Sequence, residues 1–334
     1  MLIGKTSWGY ATGLLLCDSG FGNSFKGCNK ITKLIVCGQS VNVASQTIDL
    51  SECTSITSMH IAYSQSNWIL PASLKTLIYA EYGRNFDGTN CTNLTSITTN
   101  QNNINTKFFE NFKNSPLKDV SFFRDIIDIT GFEKLVGAYS TLQTIYIGND
   151  NWGFYSGGFS KISGDCNSLA NFKNLKSLNI SYYKNKDLIN GVSKLTSLEK
   201  LNLNNNNIGN ISEISNLTNL KELNLYSNNI SDISVLSNLK NLTYLHLYAN
   251  SISNLKPLEN LIVNGKTNLQ TLYLNNNTLE NYTTQNINGQ VNSINNIEIL
   301  KKLHDAGLKN VNIAGNNFQD TSDLKKLTWT SYTE

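Results

Sequence analysis

Residues 198–208 read LEKLNLNNNNI, residues 220–230 LKELNLYSNNI and residues 242–252 LTYLHLYANSI. Leu198, Leu201, Leu203, Asn206 and Ile208 thus return as Leu220, Leu223, Leu225, Asn228 and Ile230. They return again as Leu242, Leu245, Leu247, Asn250 and Ile252, one unit every 22 residues. A coil this short holds too few apolar side chains to bury them alone, so consecutive coils must stack on one another. Period-2 alternation sends the first, fourth and sixth positions into the stack and the third, fifth and seventh to the opposite surface. The ninth-position Asn turns the chain off its strand. Its short amide can bond backbone groups that the turn would otherwise bury unpaired, which makes it structural rather than catalytic.

The spacing continues in both directions. Towards the C-terminus come Leu269/Leu272/Leu274/Asn277 and Leu308/Val311/Ile313/Asn316/Phe318. Towards the N-terminus come Leu175/Leu178/Ile180, Leu142/Ile145/Ile147, Leu117/Val120/Phe122, Leu94/Ile97/Thr99, Leu74/Leu77/Tyr79, Ile56/Met59/Ile61 and Ile31/Leu34/Val36. Leu14 and Leu16 form a truncated first unit. The sum is about thirteen short parallel strands, separated by steps of 18 to 39 residues.

The pattern L-x-x-L-x-L-x-x-N-x-I is similar to the leucine-rich-repeat signature. Residues 195–260, with Asn228-Asn229-Ile230-Ser231-Asp232-Ile233 followed by Leu236 and Leu239, resemble internalin-type bacterial repeats. The N-terminal part resembles the BspA-like, treponemal type: Phe25-Lys26-Gly27-Cys28, Ser51-Glu52-Cys53 and Thr89-Asn90-Cys91 each lead into the next apolar run. The resemblance implies an α/β solenoid of the horseshoe kind, with strands on the concave face and irregular or 3₁₀ segments on the convex face. It divides the chain into a capping unit (1–30), BspA-like repeats (31–170), internalin-like repeats (171–320) and a C-terminal tail (321–334). It also implies non-catalytic capture of a protein, or a glycan, by an adhesin exposed on a bacterial surface or secreted. A structural part of a virion or other surface assembly, and an intracellular scaffold, are the alternatives.

Composition narrows the classes. Charged residues are 15% of the 334, against roughly 25% in ordinary soluble proteins. A formal charge of +3 without basic runs argues against nucleic acid. No stretch approaches the ~18 apolar residues of a membrane span. Leu14, Leu15 and Leu16 are the only dense apolar run near the N-terminus, too short for a secretory signal, and Leu16-Cys17 lacks the small residue expected before a lipidated cysteine. Cys28, Cys53 and Cys91 stand three residues before the first apolar position of their units, and Cys166 three before Leu169. They are expected as buried reduced thiols. Cys17 and Cys37 fall at the seventh position of adjacent strands, within reach of a disulfide.

The outward positions supply the candidate site. Tyr226, Tyr244, His246, Tyr248 and Tyr273 are expected to cluster across three adjacent strands, flanked by Asn202, Asn204, Asn224 and Lys200. Such rings either bind a partner or pack against their cross-strand neighbours. The insertion 149–165, with Trp152, Phe154, Tyr155 and Phe159 among glycines, is a second partner-binding candidate or a fold-back over the flank. His60, His246 and His304 fall on separate units, and none has a nucleophile and carboxylate in register. No Cys-x-x-Cys set or phosphate loop suggests a metal or cofactor. The groups Glu81/Arg84/Asp87 and Arg124/Asp125/Asp128 are expected as solvated turns or a weak cation site, with a surface ion pair the commoner outcome for two carboxylates near an Arg.

Overall fold

The leucines of consecutive repeats lie in register. The computed structural model describes residues 14–16, 30–37, 47–62, 66–80, 86–100, 102–148, 160–185, 187–287 and 290–334. It divides into an N-terminal unit, Met1–Leu175, and a C-terminal unit, Lys176–Glu334.

In the C-terminal unit, parallel strands Ser177–Ile180, Lys200–Asn202, Glu222–Asn224, Tyr244–His246, Thr271–Tyr273, Asn310–Asn312 and Ser331–Thr333 follow in chain order. Leu178, Leu201, Leu223, Leu245, Leu272 and Val311 pair one to the next, and all six are buried. Each buried side chain of this size stabilises the fold by about 1.5–3 kcal/mol. The return legs are short 3₁₀ turns, Ser212–Asn216 and Ser234–Asn238, and helices Leu188–Ser193, Lys256–Glu259 and Asn296–Asp305. A side-chain oxygen two residues upstream starts three of them: Asn210 accepts from Ser212 N, Asp232 from Ser234 N and Asn254 from Lys256 N, at 2.8–2.9 Å.

The ninth-position asparagines form a ladder. Asn228 Nδ2 donates to Leu203 O of the preceding coil and Leu225 O of its own, while its Oδ1 accepts from Asn206 N and Ile208 N, at 2.9–3.1 Å. Asn206, Asn250, Asn277 and Asn316 repeat the arrangement. The amide is needed because the site asks for donor and acceptor at once. The residue before the ladder Asn is left-handed in every coil: Asn205, Ser227, Ala249, Asn276 and Gly315, with φ between 52° and 68°.

Two polar segments are more regular than their composition suggests. The polar run 281–296 is a β-hairpin, Tyr282–Ile287 against Gln290–Asn295, since alternating Thr, Gln and Asn suit a solvated ribbon. The expected tail 321–334 contains helix Ser322–Lys325 and strand Ser331–Thr333, which pairs with Asn310–Asn312. Leu324 is its buried anchor.

In the N-terminal unit the strands are Leu14–Leu16, Lys33–Cys37, Ser58–Ala62, Thr76–Ala80, Ser96–Asn100, Asp119–Phe123 and Thr144–Gly148. All thirteen expected apolar sets therefore fall on strands, seven here and six in the C-terminal unit. The return legs are not wholly irregular. Thr47–Asp49, Asn67–Ile69 and Phe86–Asp87 form one small parallel sheet, and Asn103–Ile104, Ile126–Asp128 and Lys161–Ser163 another. Buried Ile48, Trp68, Ile104 and Ile127 face the interior from these legs. Behind them Phe109, Phe112, Phe122, Phe132 and Phe172 are buried, with ring centroids 5.0 Å apart for Phe109–Phe132 and 5.8 Å for Phe132–Phe172. Gly131 is required by this packing, as a Cβ there would lie 2.1 Å from the Phe109 ring.

The group Arg124/Asp125/Asp128 is not a solvated turn. Asp125 is fully buried and occupies the ninth position of its coil. Its two oxygens accept from Thr99 Oγ1 at 2.6 Å and Asn102 N at 2.7 Å. Thr99, buried where other coils place an aliphatic or aromatic side chain, is the donor that lets a carboxyl stand where an amide is usual. Burial pushes the Asp125 carboxyl up to about 7 against the pull of these hydrogen bonds. Asp128 accepts from Thr130 N at the start of a 3₁₀ turn, and Asp87 accepts from Thr89. Glu81 and Arg84 lie outside the described residues.

Cys53, Cys91 and Cys166 are buried thiols. Burial, then the Asp87 charge, pushes the Cys91 thiol up to about 12, far from a reactive thiolate. Cys28 lies outside the described residues. Leu16 pairs with Val36, the register that would bring Cys17 beside Cys37, but Cys17 and the Cys37 side chain also lie outside them.

Candidate functional site

On the sheet face opposite the buried leucines, three adjacent strands of the C-terminal unit bring the expected rings together. His246 is central, with its ring centroid 5.3 Å from Tyr226, 4.8 Å from Tyr273, 6.1 Å from Tyr244 and 6.3 Å from Tyr248. Tyr244 also meets Tyr273 at 5.8 Å, and Tyr226 meets Tyr248 at 6.1 Å. The cause is register: Tyr244 pairs with Thr271 and His246 with Tyr273, so fifth- and seventh-position rings of neighbouring coils abut. All five are half-buried.

Burial holds the His246 imidazole below the usual histidine range, so it is neutral at neutral pH, with its Nδ1 3.5 Å from the Tyr244 hydroxyl. Burial, followed by Tyr273 and Glu222, raises the Tyr244 phenol. The strip is uncharged and bordered by the Lys200–Glu222 ion pair at 2.7 Å.

The flanking amides are otherwise engaged. Asn202 Oδ1 accepts from Asn204 N and Asn224 Oδ1 from Tyr226 N, at 3.2 and 3.1 Å. They shape the end of each strand, which leaves the rings as the principal feature of this face. Sequence reasoning missed Tyr182, whose hydroxyl bonds that of Tyr226 and whose own phenol is raised chiefly by burial. The available signal was positional: Tyr182 is the bulky occupant of the left-handed position that other coils fill with Asn, Ser, Ala or Gly.

Trp152, Phe154, Tyr155 and Phe159 lie outside the described residues. His60 and His304 do not join the strip: burial, then Lys33, lowers His60, and His304 sits 4.6 Å from the Trp329 ring. Among the described residues no group of three or more His, Cys, Asp or Glu could hold a metal, and no helix is long and apolar enough to cross a membrane.

A family model for two copies of the leucine-rich repeat matches residues 196–238 and again 218–260, the stretch that carries every ring of the strip except Tyr273. This is a leucine-rich-repeat protein. Among solved structures, an internalin of Listeria monocytogenes is 20% identical, covering 91% of this chain and 87% of its own, with a TM-score of 0.52. A leucine-rich-repeat protein of Leptospira interrogans is 19% identical, covering 91% and 78%, with a TM-score of 0.52. A TDR receptor is 16% identical, covering 91% of this chain and 55% of its own, with a TM-score of 0.54. At these identities the likeness is one of fold. No curated protein matches the sequence. Leucine-rich repeats are typically protein-interaction modules. The BspA-like resemblance of residues 31–170 rests on the residues quoted above.

Proposed function

We propose that this leucine-rich-repeat protein captures a protein partner on the strip Tyr226, Tyr244, His246, Tyr248 and Tyr273, without catalysis, as a surface-exposed or secreted adhesin. One observation carries the reading: five contiguous rings lie on the face away from the core, where none is needed to bury a leucine. Tyr supplies a large rigid contact with a polar tip at little entropic cost, which is why it dominates interface energetics. Low charge at the centre with an ion pair at the border matches the usual division of an interface into apolar core and polar rim. The fold likeness to an internalin supports an extracellular setting by analogy.

The test is a pull-down from host cells with the wild-type chain, followed by titration of the recovered partner against Tyr244→Ala/Tyr248→Ala. Affinity should fall by roughly 100-fold or more, from about 3 kcal/mol of lost contact, with the melting temperature nearly unchanged. Wild-type affinity in that variant would refute the assignment.

A further inference from the structure

Beside the ring strip the turn edge of the same unit holds a depression of 350 Å³, lined by Tyr182, Lys184, Asn205, Asn207, Ser227 and Asn229, with Asn228 and Ala249 behind them. We propose that it is a carbohydrate subsite that takes one pyranose ring of a glycan. The assignment does not rest on the protein-capture reading, because the lining residues are different.

The volume lies at the lower end of small-ligand sites, about 300–1,000 Å³. The chemistry of the wall is specific. A pyranose presents an apolar C–H face and a rim of hydroxyls that each donate and accept. Tyr182 offers a half-buried ring held in place through its hydroxyl bond to Tyr226, a surface suited to the apolar face. Three amides line the rim. Asn229 Nδ2 donates to Asn207 Oδ1 at 2.5 Å, and Asn205 Nδ2 donates to Asn204 Oδ1 at 3.0 Å. These bonds fix the amide planes and leave Asn207 Nδ2 as donor, with Asn229 Oδ1 and Asn205 Oδ1 as acceptors. Fixed amides of mixed sense match adjacent hydroxyls, which neither a lone cation nor a carboxylate would do. No carboxylate lines the depression, and Lys184 is its single cation, too little to hold a phosphate chain.

The backbone is also unusual at this place. Tyr182, Lys184, Asn205 and Asn207 are all left-handed, with φ of 65°, 53°, 57° and 60°. At the same turn the next coils show one such residue each, Ser227, Ala249 and Asn276, so the doubled pattern at this turn is confined to two of the coils that line the depression. For Tyr and Lys this conformation costs energy, and such strain concentrates at binding sites.

The experiment is saturation-transfer NMR on the full chain with the methyl glycosides of glucose, galactose and N-acetylglucosamine, each at about 20 mM, enough to detect Kd values near ~1 mM. At least one glycoside should receive saturation through its ring protons. Asn207→Ala/Asn229→Ala, whose side chains are exposed, should weaken it by roughly tenfold or more, the effect of two lost hydrogen bonds. Tyr244→Ala/Tyr248→Ala should bind the sugar as wild type does, whatever happens to protein capture. Absence of transfer from all three glycosides overturns the subsite. So does sugar binding that survives in Asn207→Ala/Asn229→Ala, including binding sensitive only to the Tyr244→Ala/Tyr248→Ala change, which would move the sugar to the ring strip.

Discussion

The two units solve one problem with different side chains. In the C-terminal unit five consecutive coils close with an amide that both donates and accepts, and short 3₁₀ turns and helices suffice behind the sheet. In the N-terminal unit the ladder includes a carboxyl, Asp125, that needs Thr99 to supply the hydrogen bond, and buried phenylalanines fill a thicker interior. A repeat thus tolerates a changed ladder residue when a second residue restores the donor–acceptor balance. It tolerates longer coils when aromatic volume fills the added space.

The sharpest way to break this comparison is to remove one rung. Asn228→Ala strands Asn206 N, Ile208 N and Leu203 O in a buried setting, while Leu225 O keeps Asn250 Nδ2 as its donor. The expected loss is about 5 kcal/mol, from several unsatisfied groups at 1–3 kcal/mol each, read by denaturant unfolding. Phe132→Ala tests the other solution. It empties the centre of the Phe109–Phe132–Phe172 row and should cost about 4 kcal/mol. Hydrogen exchange should report the first change at amides of the C-terminal unit and the second at those of the N-terminal unit.

Strand positions were legible because period and core agree: Leu117, Val120 and Phe122 or Leu220, Leu223 and Leu225 announce a buried row whatever the rest of the coil does. The ring strip was legible for the same reason, since alternation fixes which face Tyr244, His246 and Tyr248 take. The return legs were not. Ile48 and Trp68 carry no period of their own, and their sheet exists only because coils stack. Asp125 was misread because a charged residue beside Arg124 looks solvated until Thr99, 26 positions earlier, is seen to donate to it. The hairpin and the last strand were hidden by polar composition, which a solvated ribbon and an edge strand both permit.

The charge at Asp125 gives the comparison a pH dependence. Its carboxyl is raised to about 7 in the fold from about 3.9 in an unfolded chain, so the folded protein holds the proton more tightly. That stabilisation is complete below about pH 4 and is lost as pH rises through about 7. The N-terminal unit should weaken by on the order of 2–4 kcal/mol between pH 4 and 8. His60, lowered by burial and Lys33, pulls the other way, so the isolating variant is Asp125→Asn. It restores a ladder amide and should flatten the slope while raising stability at pH 8. In the C-terminal unit the sign reverses. His246 is lowered, so its contribution is present above about 6.5 and is lost as pH falls through its lower folded value. A smaller acid-side loss should disappear in His246→Phe.

Surface charge should matter least. Glu199 bridges Lys176 and Lys221 at 3.4 and 2.7 Å across three coils, a pattern easily taken for a clasp on the stack. Both lysines are more than half exposed, and their hydrogen bonds to Glu199, led by Lys221, hold its carboxyl below the usual range. Water and salt screen such pairs, and ordering the long side chains offsets the remaining attraction. Lys221→Ala should therefore leave the melting temperature unchanged at physiological salt. A clear drop would mean that the coils of the C-terminal unit are held by charge as well as by the leucine rows and the amide ladder, and the contrast with the Asp125–Thr99 pair would have to be redrawn around that network.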